Sequence, residues 1–323
     1  MINYIAKKVY TTSKSFKNRI YNHFDTPVLV LAYHRVANLE NDIFKNAVTP
    51  QTFFNQMKYL RDNYNILRFE DDWANKEKKS IVITFDDGYE DNYTEMLPII
   101  EKLQIPVVVF VSTANIETES DNWDYELENI VMHGNLPINI HIHSNIINKK
   151  WEINTSIDRN NFFKEIHSIL VEKGNYEYKN IIFEQIKSQV QYINPGKNIN
   201  KIMNKQQLKK LSMSKYITVG THSVNHLSLP TLTYEQQYKE ITDSKNYIQK
   251  IIDKDVNLIS YPFNMYNDDT LDIVKKCNFK KGAAGLPGAW HENRNNSFTI
   301  PRNSVVNEDM DKFIKRIHNY WTK

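Results

Sequence analysis

Residues 81–88 read Ile-Val-Ile-Thr-Phe-Asp-Asp-Gly. A run of β-branched and aromatic residues, Ile81 to Phe85, ends in two adjacent carboxylates and a glycine. Its length and composition are those of a buried strand of a parallel sheet. Gly88 permits a sharp turn, and a helical pattern follows. Asp86 and Asp87 then stand at the carboxyl end of a central strand, where α/β folds carry their chemistry. Adjacent carboxylates repel each other, so the pair calls for a cation, a proton or an arginine unless the turn is fully solvated.

The surrounding sequence repeats the same alternation. Val28 to Tyr33 reads as a first buried strand running into His34-Arg35. Thr49-Pro50 opens a helix whose apolar residues Phe53, Phe54, Met57 and Leu60 recur at helical spacing. A helix after Glu90 and a strand from Ile105 to Val111 complete a βαβ pattern. The rhythm breaks at about residues 115–203, where two helical patterns, Phe162–Glu172 and Tyr178–Val190, stand among Asn-rich connections with no long β-branched strand. It resumes with a helix near Lys205, a strand running into Thr221-His222, a helix over Tyr234–Ile252, a strand at Val256–Tyr261, a helix over Asp268–Lys276, two short strands and a last helix from Asp309. The expected organisation is a basic N-terminal helical segment, 1–26, followed by one α/β domain, 27–323, with a helical insertion at about 115–203.

Composition narrows the function classes. The 323 residues carry a net charge of +3, too mild and too dispersed for a nucleic-acid binder. One cysteine, Cys277, excludes an intramolecular disulfide framework. Residues 1–24 hold Lys7, Lys8, Lys14, Lys17 and Arg19 without an acidic residue or an apolar core of signal-peptide length. They read either as a basic amphipathic helix resting on anionic lipid or as a helix packed on the outside of the fold. The expected location is cytoplasmic, peripheral to the inner membrane if the first reading holds.

His222 and His226, in Thr-His-Ser-Val-Asn-His, are four positions apart. On a helical turn that spacing points both imidazoles the same way, as a shared metal requires. With Asp87 they make a three-ligand set that leaves a coordination position open. These motifs, in this order, closely resemble the polysaccharide deacetylase family, the NodB-homology domain of carbohydrate esterase family four. Thr84-Phe85-Asp86-Asp87-Gly88 matches its first motif and His222-Ser223-Val224-Asn225-His226 its second. Ser260-Tyr261-Pro262-Phe263-Asn264 matches the third in part, and Ala32-Tyr33-His34-Arg35-Val36 is similar to a branch acting on surface glycans.

The resemblance implies a distorted (β/α) barrel of the NodB type with a helical insertion. It implies Asp86 as general base, and Asp87, His222 and His226 as ligands of a divalent ion, most often zinc. The backbone N–H of Tyr261 is the implied oxyanion donor, and Tyr261, Pro262 and Trp123 are the expected substrate contacts. Two departures matter. The third motif's arginine is Ser260 here, and Arg302, at a strand end in Thr299-Ile300-Pro301-Arg302, is expected to replace it. The Leu-x-His motif that supplies the family's general acid has no evident counterpart, and His34 is expected in that role. His141 and His143, in Ile-His-Ile-His, lie on one face of a strand and offer an alternative metal pair inside the insertion, and Trp151 and Trp290 are expected to be buried. The function implied is metal-dependent removal of an N-acetyl group (or formyl, or O-acetyl) from a sugar in a surface polysaccharide or lipid-linked precursor. The alternative is a glycan-binding protein that has kept the barrel and lost turnover.

Overall fold

The computed structural model describes residues 27–40, 42–74, 79–118, 121–190, 200–284, 287–291 and 296–322. The basic segment expected over 1–26 lies outside them. The chain order is β1 (Val28–Tyr33), β2 (Arg35–Val36), β3 (Ala47–Val48), α1 (Pro50–Asn63), β4 (Asn65–Ile66), β5 (Ser80–Phe85), a π-helical turn (Asn92–Met96) running into α2 (Leu97–Leu103), and β6 (Val107–Val111). Then come α3 (Trp123–His133), β7 (Asn139–His143), β8 (Asn148–Glu152), α4 (Ser156–Lys173), α5 (Tyr176–Gln189), α6 (Lys205–Met213) and β9 (Ile217–Thr221). The last part holds α7 (Tyr234–Ile252), β10 (Leu258–Ser260), α8 (Asp268–Lys276), β11 (Lys281–Ala284), β12 (Ala289–Trp290), β13 (Ile300–Pro301), β14 (Asn303–Ser304) and α9 (Met310–Thr322).

The main sheet runs β12-β1-β5-β6-β9-β10-β11-β13, with β4 beside β5 and β14 beside β1. Every pairing in it is parallel except β1 with β12. The sheet curls because its last two strands belong to opposite edges. β13 pairs with β11, while β14, one residue further on, pairs with β1. Arg302 is the residue between them, at the seam of a nearly closed eight-strand barrel.

Strand parity sorts the core. Val28, Val30, Val82, Val108, Phe110, Leu258, Ala283 and Ile300 form one cluster with Phe69, Trp73 and Trp290, the barrel's interior. The alternate residues Leu29, Leu31, Ile81, Ile83, Val107 and Val109 pack with the outer helices. Thr49 caps α1 by accepting from Thr52 N, with Pro50 at the first helical position.

Between the paired strands β6 and β9, helices α3, α4 and α5 contribute to a second apolar cluster, which also takes in Leu229, Ile241, Ile259 and Ile273. The two expected helices are there. The strand expected to carry His141 and His143 on one face is there as β7, whereas the helix at Trp123 was not expected and is a correction. β8 completes an antiparallel hairpin with β7, and the apolar side of the hairpin is Ile140, Ile142 and Trp151. In the helix after Gly88, the first turn is π rather than α. Among the described residues no helix is long and apolar enough to cross a membrane.

Gly88 makes the turn that places the two carboxylates. Its φ is +81°, and an added Cβ would stand 2.8 Å from Val111 Cγ1. Gly88→Ala is expected to lower unfolding free energy by at least about 1 kcal/mol, from the left-handed backbone before any clash is counted. A urea-unfolding midpoint unchanged from the parent protein would contradict this.

Candidate active site

In-register parallel strands place the residues that follow them side by side. Tyr33 is level with Phe85, so His34 and Asp86 are neighbours, tied by Asp86 N–H to Tyr33 O at 3.0 Å. Val111 is level with Thr221, and His222 N–H reaches Val111 O at 2.9 Å. The seam delivers Arg302 from the other direction. A cleft of about 260 Å³ opens at this end, lined by His34, Asp86, Asp87, His222, His226 and Tyr261, among others.

The two carboxylates have different partners. Asp86 Oδ1 accepts from Arg302 Nη1 and Asp86 Oδ2 from Arg302 Nη2, both at 2.7 Å. Asp86 Oδ2 also accepts from Ser260 Oγ at 3.3 Å. The guanidinium is held by Thr84 Oγ1 at 3.2 Å, Ser260 Oγ at 2.9 Å and Asn264 Oδ1 at 3.2 Å. Asp86 and Arg302 are 3% and 4% exposed, so this is a buried bidentate pair. Burial works to raise the Asp86 carboxyl pKa, but Arg302, with His222 and His34 behind it, holds it below the usual carboxylate value. Ser260 is short enough to leave room for a guanidinium that arrives from position 302.

Asp87 faces away from the arginine. Its Oδ1 lies 3.1 Å from His226 Nε2 and 3.4 Å from His222 Nε2, and it has no hydrogen-bond partner of its own. One donor atom from each of these three residues falls within 4.8 Å of the others, and all three residues are buried. His222 Nδ1 is 2.8 Å from the Ser260 carbonyl oxygen. An N–H at Nδ1 leaves the lone pair on Nε2, the orientation a metal ligand requires. His226 Nδ1 is turned toward Asp124 at 3.8 Å. Burial would lower the His226 pKa, but Asp87 first, then Asp124 and Asp86, override it and push it up to about 9. Burial is likewise overridden at Asp87, where the two imidazoles hold the carboxyl well below its ordinary value. A buried, orphaned carboxylate oxygen between two imidazole nitrogens fits a divalent ion, and Asp87, His222 and His226 would hold it.

The histidines do not converge on a helical turn as expected. Residues 222–228 form a loop in which Ser223 and His226 have φ of +64° and +52°. Glu240 of α7 organises it, accepting from Val224 N at 2.9 Å, Asn225 N at 2.8 Å and Asn225 Nδ2 at 2.7 Å. Asp87, Phe263 and Asn264 are left-handed too, at +72°, +55° and +60°. Backbone strain of this kind gathers where side chains must be aimed.

Several expected contacts are placed otherwise. Trp123 is buried beneath the site, its Nε1 donating to His226 O at 2.7 Å and its ring stacked 5.3 Å from His167. It braces the loop that carries His222 and His226 and offers no open face to a sugar. Pro262 is buried at the turn after β10, and Phe263 lines the cleft in its place. The Tyr261 N–H is directed to Ala283 O at 3.3 Å, extending the β10–β11 ladder, so it is engaged and is not aimed at the cleft. Tyr261 itself lines the cleft, with its hydroxyl donating to Phe298 O. His34 stands half-buried in the cleft wall, its carbonyl held by Asn92 Nδ2 at 2.9 Å. Arg35 is structural, paired with Asp91 at 2.9 Å below Tyr89. His141 and His143 lie on the exposed side of β7, outside the metal-capable group. Trp151 and Trp290 are buried. The sequence reading missed Asp124 as a partner of His226, and it missed His167, which α4 brings into the cleft. Neither carries a motif; only tertiary packing delivers them.

The family model described as polysaccharide deacetylase matches residues 74–282. The poly-β-1,6-N-acetyl-D-glucosamine N-deacetylase of Staphylococcus aureus is 25% identical over 317 residues, 93% of this chain and 86% of that protein. YxkH of Bacillus subtilis, named for the same family, is 23% identical over 269 residues, 80% of this chain and 65% of that one's length. Among solved structures, the Streptococcus pyogenes deacetylase PplD, in complex with acetate, has a TM-score of 0.58 and 19% identity, covering 90% of this chain and 98% of that one.

Chelator-treated protein titrated with Zn²⁺ is expected to bind one equivalent per chain. His226→Ala should weaken binding by more than about 100-fold, beyond the effect of losing an outer partner. Equal uptake by the two proteins in a calorimetric titration would rule out the Asp87–His222–His226 set.

Proposed function

Because the chain belongs to the polysaccharide deacetylase family, we propose that it is a metal-dependent hydrolase that removes N-acetyl groups from an N-acetylglucosamine-containing glycan. The observation that carries this reading is the division of the Asp86-Asp87 pair between an arginine and two imidazoles. The acetylated sugar is suggested by the substrate in the name of the Staphylococcus aureus relative, which this chain matches over most of both lengths.

A divalent ion at Asp87, His222 and His226 would supply Lewis acidity, polarising the acetyl carbonyl and making water a proton donor near neutral pH. The remaining work falls to the chain's own groups. Asp86 is the general base. Its Oδ1 carries one bond, from Arg302, while Oδ2 carries two, so Oδ1 is the freer oxygen to take a proton from water. Arg302 fixes the plane of that carboxylate and keeps it ionised until the proton arrives. His34, beside Asp86 where the adjacent strands β1 and β5 end, is the group we assign to protonate the departing sugar amine. His167 is the other imidazole in the cleft wall. Burial pushes its pKa down, so it stays neutral and suits hydrogen bonding better than proton donation. Phe44, its ring 5.4 Å from that of His167, lines the cleft with Lys45 and Asn46, and the sugar would rest against them.

The alternative, a binder without turnover, is supported by the missing arginine at position 260 and by the absent Leu-x-His motif. Arg302 provides the guanidinium contact that Ser260 cannot, and this weighs for the enzyme. Acetate release from N-acetylglucosamine oligomers is the deciding measurement. Activity should vanish with a chelator and return with Zn²⁺. Asp86→Asn should lower kcat by about 10²–10⁴-fold, and Arg302→Ala should lower it by at least about 10²-fold while metal content stays at the parental level. No acetate from any acetylated oligomer, with metal bound, would leave the binder as the reading.

A further inference from the structure

The cleft has a neighbour. Residues 42–46 form a turn in which Asp42 accepts from Asn46 N at 3.2 Å and Ala47 N at 2.9 Å. On one side of it Phe44, Lys45 and Asn46 line the catalytic cleft. On the other, Asp42 and Ile43 line a second, open groove of about 520 Å³ together with Glu128, Met132, Arg159 and Asn160. Helix α3 joins the two. Asp124 faces the cleft, and Glu128, four residues on, faces the groove. On one helix face that is a step of about 6 Å, on the scale of a single sugar unit.

Glu128 is 8% exposed and has neither a hydrogen bond nor an ion pair among the described residues. A buried carboxylate in that condition is costly unless a cation meets it. Burial, with Asp121, Asp124 and Asp42 nearby and Arg35 opposing, pushes its pKa up to about 7. His133 and Arg159 line the groove too, and one nitrogen of the Arg159 guanidinium is committed to the backbone. Arg159 Nη1 donates to the carbonyls of Val131, Met132 and Gly134, at 2.9, 3.1 and 2.9 Å, and so caps the end of α3. Ile43 and Met132 supply an apolar wall against which the C–H face of a sugar ring can rest.

We propose that this groove is a subsite for an amino sugar with a free amine, its ammonium held by Glu128 with Asp42 behind it. This rests on the deacetylase reading and deepens it. A unit already processed would seat beside the unit being processed, and the enzyme would extend stretches of free amines along a chain in preference to starting new ones.

The test uses the full chain with its metal, and two N-acetylglucosamine tetramers. One is fully acetylated, and the other has a single free amine beside an acetylated unit. Parental kcat/KM should be about tenfold higher on the mixed tetramer, equivalent to about 1.4 kcal/mol. Glu128→Gln, nearly isosteric, should bring the ratio to about one while its rate on the acetylated tetramer stays within about twofold. Met132→Lys, which places an ammonium in the groove from a half-buried position, should remove the preference as well. A parental ratio of one, or a ratio unchanged in Glu128→Gln, overturns the proposal. Calorimetric binding of a glucosamine tetramer separates the two levels. If neither acetylated tetramer releases acetate but the glucosamine tetramer binds the parent and not Glu128→Gln, the deacetylase reading fails and the cationic subsite stands. If it binds both proteins alike, or neither, the subsite fails.

Discussion

The mouth of the barrel depends on the buried pair between Arg302 and Asp86. Two full charges are removed from water there, and a guanidinium in a bidentate grip with side-chain acceptors around it is one of the few arrangements that offset the desolvation. Thr84, Ser260 and Asn264 complete that set of acceptors. The pair does structural and electrostatic work together. Arg302 sits between β13 and β14, the two short strands that carry the sheet from β11 round to β1. Holding Asp86 therefore also holds the seam, and removing the arginine would leave a carboxylate buried alone at the point where the barrel closes, a loss of about 3–5 kcal/mol.

With Asp86 fixed to one side, Asp87 is free to face the other. Adjacent residues in an ordinary strand point to opposite faces of the sheet, but these two follow the strand, and Asp87 has a left-handed backbone. Its carboxylate turns toward His222 and His226 without disturbing Asp86. The loop that carries the imidazoles is strained in the same sense and is held by Glu240 and by the Trp123 indole. Without a cation, His226 is pushed toward carrying a proton by the carboxylates around it. The carboxylates gathered there favour positive charge, which a proton on His226 or a divalent ion at Asp87, His222 and His226 would supply.

What the sequence disclosed follows from what is local. Strand runs such as Ile81–Phe85 declare themselves by composition, and the helices by period and cap. Each motif stands where a strand ends, and this placement together with the family resemblance groups Asp86, Asp87, His222 and His226 from sequence alone. Arg302 was legible only as a residue at the right end of a short strand, and its grip on Asp86 is a tertiary fact. Trp123 was misplaced because an aromatic near a motif looks the same whether it faces a sugar or braces a loop. Asp124, His167 and Glu128 were invisible for a related reason: α3 and α4 are delivered by the packing of residues 112–216, which no spacing encodes. Of the β7–β8 hairpin, the Ile-His-Ile-His alternation of β7 was legible, and β8 escaped because Trp151 is its one buried residue.

The seam also has a consequence in time. A chain emerging from the ribosome presents Asp86, Asp87, His222 and His226 long before Arg302. Until Ile300–Ser304 docks between β11 and β1, the barrel is an open sheet and Asp86 has no arginine. A nascent or clipped chain can thus possess Asp86, Asp87, His222 and His226 without the guanidinium that pairs with Asp86. Closure of the last strands is therefore the step that completes the charge pairing at the barrel mouth.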